Sequence, residues 1–445
     1  MNKRYELVVA GGGMSGVAAA VAAARQGKRV LLIEQSSMLG GLGTAGLMTM
    51  VMTSRKWFYG IGLEILESLR DQGQARWIDD YPVKDYERIP FDAESMKRKL
   101  DAVLQESGAE VLLYSRITGV EMQEDHLKAL RVSSQVGDFT VEGDVFIDAT
   151  GDGMLSFLAG EDFDLGDEEG NTQAPTMTAY YAGIDFERYE AFLKTYENGP
   201  AIPKVNMIRD LIPKAVADGV VSVCDLHHPG IFRISPCFNV GVMNAGHIYG
   251  ADCLTPEGLT QATVAGRRMA EEYLNFYRRY VPGFEKAYMT NTCSYLGLRE
   301  TRRIRGLYTT TFADKAAYRK FPDAVMRFDG GAVSDVHASS ADKKAYEAYY
   351  KLFTQARETV REDDWAELPY RSLLPAKTKN LLVAGRCLSA DREVQGQLRI
   401  MGYCFMMGQA AGTAAAIAVN EGKAPRDICV AKLQEKLEEA GVKTR

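Results

Sequence analysis

Over the first 34 positions the apolar residues fall into two short runs and one longer one. Tyr5–Ala10 and Arg29–Glu34 have strand length, and Met14–Gln26 is alanine-rich with no charge before Arg25. Short apolar runs bounded by glycine read as buried strands and the longer one as a helix, which predicts one parallel βαβ unit. From Phe91 a helix is predicted by Met96, Leu100, Val103 and Leu104, and a strand by Glu110–Tyr114. Three alternating stretches follow near Ile117–Met122, Leu127–Ser133 and Phe139–Val141, joined by Asp125-His126 and Gly137-Asp138, and predict antiparallel strands. Val145–Asp148 is a further buried strand that opens into Ala149-Thr150-Gly151-Asp152-Gly153.

From about Glu161 to Arg371 the chain is richer in Tyr, Arg and Pro and loses the glycine-rich turns. Within it Thr255 as N-cap and Pro256 in the first turn predict a helix running to about Tyr280, with Leu259, Met269, Tyr273 and Phe276 as core positions. After Pro375, Asn380–Ala384 is again an apolar strand that ends in glycine, at Gly385. The uncharged segment Met401–Val419 and a tail helix with Leu433 and Leu437 follow. Strand-to-glycine turns near both ends predict an α/β fold in which a Rossmann-like nucleotide-binding domain, residues 1–160 and 372–445, is interrupted by an α+β substrate or cap domain at 161–371.

The first turn, Gly11-Gly12-Gly13-Met14-Ser15-Gly16, fits GxGxxG and lies between a strand and a helix, with Glu34 at the end of the second strand. In such a turn Gly11 permits the bend, Gly13 lets the backbone approach a pyrophosphate and Gly16 lets helix and strand pack closely. The helix N-terminus offers N–H groups to the phosphates, and Glu34 is placed for a ribose. A second glycine-rich stretch, Leu39–Gly46, follows almost at once and suits a longer ligand lying extended along the protein.

Composition narrows the partners. The 445 residues carry 53 Lys and Arg against 59 Asp and Glu, a net charge of −6, with no long basic tract, so nucleic acid is not the expected partner. Seven cysteines, no two of them closely spaced, fit neither a disulfide framework nor a CxxC or zinc pattern. A reducing cytoplasmic location and no metal site are expected. The glycines in Leu7–Ala24 argue against a signal peptide. Gly402, Gly408, Gln409 and Gly412 argue that Met401–Val419 is a helix buried in protein rather than a membrane span.

These segments together resemble the FAD-dependent oxidoreductases related to the fumarate reductase and succinate dehydrogenase flavoproteins. The resemblance rests on GGGMSG with Glu34, the Gly40-Gly41 loop, Ala149–Asp152, Gly385-Arg386-Cys387-Leu388-Ser389, and Gly408-Gln409-Ala410-Ala411-Gly412. Leu298–Gly306 and Asp335-Val336-His337 add to it. It implies a glutathione-reductase-like fold that binds FAD through Gly11, Gly13, Met14, Ser15, Gly16, Glu34, Gln35, Gly40, Gly41, Thr44, Ile117, Thr150, Gly151, Gly385, Arg386, Arg399 and Gly402. Relatives with covalent flavin carry a histidine near the glycine loop. No histidine occurs here before His126, so the FAD is expected to be non-covalent.

A flavin takes or gives hydride, and the protein must orient the substrate and move a proton. His337, two residues from Asp335, is the first candidate acid or base, with His227 and His228 as alternatives and a buried structural role as the competing reading. Arg299, Arg302 and Arg303 would share one face of a helix and could clamp an anion; a solvated, ion-paired face is the competing reading. Arg386 and Arg392 are the alternative anchors. The expected function is a dehydrogenase or reductase of a small polar, anionic molecule, working with an unidentified electron donor or acceptor. A flavin monooxygenase or oxidase, a non-catalytic flavoprotein scaffold and an NAD enzyme are the alternatives.

Overall fold

The computed structural model describes residues 2–77, 86–195, 204–227, 230–234, 239–331, 334–341, 344, 347, 361 and 364–445. His228, one of the candidate acids or bases, lies outside the described residues.

The strand Asn2–Ala10 is the centre of the main sheet. Parallel to it on one side lie Val30–Ile33 and then Glu110–Leu112; on the other lies Gly137–Asp148, followed by antiparallel His126–Ser134 and Ser115–Gln123. Leu381–Val383, from near the other end of the chain, joins parallel to Gly137–Asp148, so both ends of the chain build one Rossmann-like sheet. Alternation along Asn2–Ala10 explains its two faces. Leu7 and Val9 point into the core shared with the helices Met14–Ala24, Ala93–Ser107 and Met401–Glu421, and Val8 and Ala10 point into the core under Leu127, Leu130 and Val132.

Sequence patterning split Phe139–Val141 from Val145–Asp148. They form one strand because Asn2–Ala10 pairs along its whole length, from Asn2 opposite Thr140 to Ala10 opposite Asp148.

The middle of the chain has its own core. Ile231–Arg233, Val240–Met243, Ala179–Ala182 and Tyr288–Thr292 form a four-stranded antiparallel sheet in that order. The helix Pro256–Tyr280, capped by Thr255 as expected, covers it with Ala270, Tyr273, Phe276 and Tyr277. The hairpin of Ala324–Phe328 and Ala366–Pro369 packs differently. Val325, Met326, Phe328, Ala366 and Leu368 join the core of the main sheet.

Met401–Glu421 is long and apolar enough to cross a membrane, and here it is enclosed by protein, with Gly402 to Ala418 buried. Its glycines are the reason it fits. A Cβ at Gly408 would sit 2.1 Å from the Ser15 carbonyl oxygen, and one at Gly412 would sit 2.2 Å from that of Ala19. The two backbones are therefore in contact, and the long helix is locked across the helix that begins at the first glycine turn.

Candidate functional site

The glycines of these turns differ in the room the fold leaves them. Gly11 has φ +95°, and a Cβ there would lie 2.6 Å from the Ala149 carbonyl oxygen; a Cβ at Gly16 would lie 1.8 Å from that of Gly11. Both positions are closed by the protein's own backbone. Gly13 differs: its backbone is extended (φ −67°, ψ −178°), and a Cβ there would meet nothing within 4 Å. No side chain caps the helix that Met14 and Ser15 begin, so its first N–H groups are left for a ligand. The second loop lies against the first, with the Gly40 amide donating to the Gly12 carbonyl at 2.8 Å, and a Cβ at Gly41 would lie 3.3 Å from Gly13 Cα. Thr44 holds this loop through its hydroxyl, which donates to the Leu39 carbonyl.

Glu34 is buried, and its carboxylate accepts from the Gly12 amide at 2.7 Å and the Ser36 amide at 2.8 Å. Each oxygen keeps a further lone pair for a ribose hydroxyl. Beside it opens a cleft of about 640 Å³ lined by Gln35, Tyr114, Arg116, Ile117, Ser133 and Met154. Thr150 supports its rim, accepting from the Met154 amide at 2.9 Å and donating to Asp148 at 2.7 Å. The open Gly13 face, the uncapped helix and this cleft fit the pyrophosphate and adenosine of FAD.

The other end of the ligand track is set by segments far apart in sequence. Gly385, at φ +98°, passes so close to the first helix that a Cβ would lie 2.5 Å from Ser15 Oγ. Around Gly43 the side chains of Met14 and Met401 converge, and a Cβ at Gly402 would lie 3.0 Å from Thr53 Oγ1. Met401–Glu421 starts there without a side-chain cap or an acidic residue in its first turn, so the positive end of its dipole would favour the electron-rich edge of a reduced flavin bound there. Arg386 is committed elsewhere. Its guanidinium donates to the carbonyls of Gly151 and Leu298 and pairs with Asp152, so it braces the third glycine turn against the middle of the chain.

Arg399 leads to a buried polar cluster of the middle region. Its Nη2 donates to Asp335 at 2.9 Å, and Asp335 lies 3.3 Å from Nε2 of His337. Nδ1 of His337 is 2.8 Å from Nε2 of His247, and Nδ1 of His247 is 2.8 Å from Asp225. Asp225 also accepts from the amides of His227 and His247 and from the Tyr249 hydroxyl, four hydrogen bonds on a fully buried carboxylate. Burial opposes its charge, yet His247 and His227 hold its carboxyl well below the usual carboxylate range. Burial pushes His247 down to about 4, and burial with Arg299 nearby holds His337 well below the usual imidazole value, so both rings are neutral at pH 7. Arg299 is buried among them and pushed down to about 10 by burial and by Arg399. Its Nη1 donates to the Ala174 carbonyl at 2.8 Å, and among the described residues it makes no salt bridge.

The arginines do not act as a group. No helix forms around Arg299–Arg303; Arg302–Ile304 is a strand paired with Phe163–Leu165, and neighbouring side chains on a strand point to opposite faces. Arg302, expected to share a helix face with Arg299, instead lies over the Phe157 ring at 4.4 Å and donates to the Asp152 carbonyl. Arg303 is held by Glu300, which also receives Arg392 at 3.1 Å. Of the three catalytic candidates, Arg299 and His337 share the site and Arg302 does not. Asp225 and His247 were missed, since no spacing links them to His337. The usable signal was scarcity, as three of only five histidines meet here.

The comparisons bear on the fold and the cofactor. A digeranylgeranylglycerophospholipid reductase of Methanocella arvoryzae is 25% identical over 158 residues, 34% of this chain and 40% of that protein. A second such reductase, from Methanococcoides burtonii, is 22% identical over 200 residues, 43% of this chain and 48% of its own. The chain thus spans less than half the length of these curated relatives. The crystal structure of a geranylgeranyl bacteriochlorophyll reductase-like protein from Thermoplasma acidophilum superposes with a TM-score of 0.50 at 12% identity, covering 99% of this chain and 85% of that one. A p-nitrophenol 4-monooxygenase from Pseudomonas putida superposes with a TM-score of 0.50 at 11% identity, covering 98% and 84%. The model of the FAD dependent oxidoreductase family matches residues 6–437, and the chain, an FAD-binding oxidoreductase, belongs to that family.

Proposed function

We propose that this chain is a dehydrogenase or reductase that moves a hydride between flavin N5 and a small, polar, anionic organic substrate, with FAD held non-covalently. FAD supplies the two-electron acceptor or donor. The observation that carries the substrate class is Arg299, a buried guanidinium paired with no carboxylate among the described residues, beside two neutral histidines. A buried cation of this kind is satisfied by an anionic ligand, which the planar guanidinium can grip with two hydrogen bonds. His337 takes the proton when substrate is oxidised and returns it on reduction; Arg399 fixes Asp335 next to it. A prenyl-lipid reductase, the activity in the names of the archaeal relatives, would call for an apolar channel, whereas Arg299, Arg399, Asp335 and Gln173 around His337 are charged or polar.

The test is anaerobic bleaching of the FAD-loaded protein by a panel of small carboxylates and polyols, followed by admission of air. Bleaching by a carboxylate, with slow reoxidation, is the expected result. Bleaching by none of them, or rapid turnover in air with peroxide or an oxygenated product, overturns the reading in favour of an oxidase or monooxygenase.

A further inference from the structure

The buried chain Asp225–His247–His337–Asp335 contains three contacts between four groups, and two neutral imidazoles bring only two ring protons to them. Where those protons sit is decided at the buried end. Asp225, anionic and already accepting from two backbone amides and Tyr249, can only accept from His247, so Nδ1 of His247 carries its proton. Nε2 of His247 is then an acceptor, and the 2.8 Å contact requires the proton of His337 to sit on Nδ1. The lone pair of His337 is thereby left on Nε2, the nitrogen that faces Asp335. We propose that Asp225 and His247 are positioning residues that fix His337 as a base at Nε2, and that the four groups form a relay taking up one proton there and releasing it through Asp335.

Exposure runs in the same direction. Asp225 is 0% exposed, His247 1%, His337 4% and Asp335 36%. The relay therefore connects a sealed interior to a carboxylate that water reaches. When a proton arrives at Nε2 of His337, the proton on its Nδ1 can pass to Nε2 of His247, and the positive charge comes to rest beside Asp225. All three contacts are then hydrogen bonds. In substrate oxidation the C–H electron pair leaves with its hydrogen as hydride to the flavin, and the O–H or N–H proton goes to His337. The substrate loses two electrons, the flavin gains them, and the relay holds one proton until Asp335 passes it to water. Reduction runs these steps backwards. The groups facing the two rings are Asp225, His227, Tyr249 and Arg299 on the inside, and Asp335 with Arg399 on the outside. Donor atoms of Asp225, His227 and His247 lie within 4.8 Å of one another, near enough for a metal. Both nitrogens of His247 already sit in 2.8 Å contacts, which favours protons over a metal.

The chemical use of the relay rests on the flavin-dependent function proposed above; its tautomers do not. The test is the long-range 15N–1H spectrum of the full-length, FAD-loaded protein labelled at histidine, recorded from about pH 9 down to about pH 3, which passes the value of about 4 to which burial pushes His247. His337→Gln and His247→Gln assign the two signals. At high pH both rings should carry the proton on Nδ1 and none on Nε2, and on acidification both should change in one coupled step. In Asp225→Asn, checked for folding by its FAD uptake, His337 should lose its uniform Nδ1–H pattern although Asp225 does not touch it. A proton on Nε2 of either ring at high pH, independent titration of the two, an unchanged His337 in folded Asp225→Asn, or one equivalent of tightly bound transition metal would each overturn the relay. Should Asp225→Asn not fold, the wild-type tautomers decide alone. Failure of every carboxylate to bleach the flavin, with these tautomers observed, refutes the function and leaves the relay standing.

Discussion

Gly13→Ala separates a glycine kept for the ligand from one kept for the fold. Its φ of −67° and ψ of −178° are open to any residue, and a Cβ there meets no protein atom within 4 Å. The apoprotein should therefore be unchanged in stability or gain up to about 1 kcal/mol, because alanine restricts the unfolded chain. The methyl group instead occupies the space in which phosphate oxygens approach the amides at the start of the Met14–Ala24 helix. Holding the pyrophosphate away from one amide removes a hydrogen bond to a charged group, worth about 1.5–3 kcal/mol. At about 1.4 kcal/mol per factor of ten, the Kd for FAD should rise about ten- to a hundredfold. Titration of apoprotein with FAD by flavin fluorescence gives the Kd, and thermal melts of the apo forms give stability. Gly16→Ala is the contrast: its Cβ would lie 1.8 Å from the Gly11 carbonyl oxygen, so the apoprotein itself should be destabilised. Unchanged FAD affinity in Gly13→Ala, or a destabilised apo form, would refute the assignment of this face to the pyrophosphate.

Three further outcomes are expected. Gly412→Ala forces a methyl to 2.2 Å from the Ala19 carbonyl oxygen, and urea unfolding should show a loss of about 1–3 kcal/mol. Arg299→Met should abolish carboxylate-induced changes in the flavin spectrum while FAD affinity stays within about twofold, since its guanidinium serves the anion; retained carboxylate binding would count against the proposed substrate class. Lys315 is fully buried, and burial pushes it down to about 7 from an ordinary 10.5, against the pull of Asp329 and Asp391. Between those two values the unfolded chain holds a proton that the folded chain lacks, so this group makes stability rise with pH, by up to about 1.4 kcal/mol per unit. Chemical unfolding at several pH values should show that slope in the wild type and not in Lys315→Met.

The first glycine turn was legible from local signals. A glycine turn between a strand and a helix is a matter of nearest neighbours: Gly11 and Gly16 answer to contacts with one another and with Ala149, and Gly13 to the helix it starts. The N-cap at Thr255 was legible for the same reason, because a cap is complete within four residues. The arginine segment misled because helical spacing was read where pairing with Phe163–Leu165 prevails, and strand geometry sends Arg302 and Arg303 apart. Gly408 and Gly412 showed that the uncharged helix has a close neighbour but not that Ser15 and Ala19 supply it.

What the sequence determined by itself was therefore the βαβ unit, its glycine turn and the class of cofactor. Only the tertiary structure assembled the buried histidine cluster. Asp225, His247 and His337 are separated by 22 and 90 positions, and three strands or loops of the middle region bring them to 2.8 Å. The same packing chose Arg299 from a run of four arginines by burying it next to the histidines. Tautomers, proton affinity and a buried cation without a salt bridge among the described residues are properties of distance and desolvation, which depend on long-range packing and carry no signature in sequence spacing.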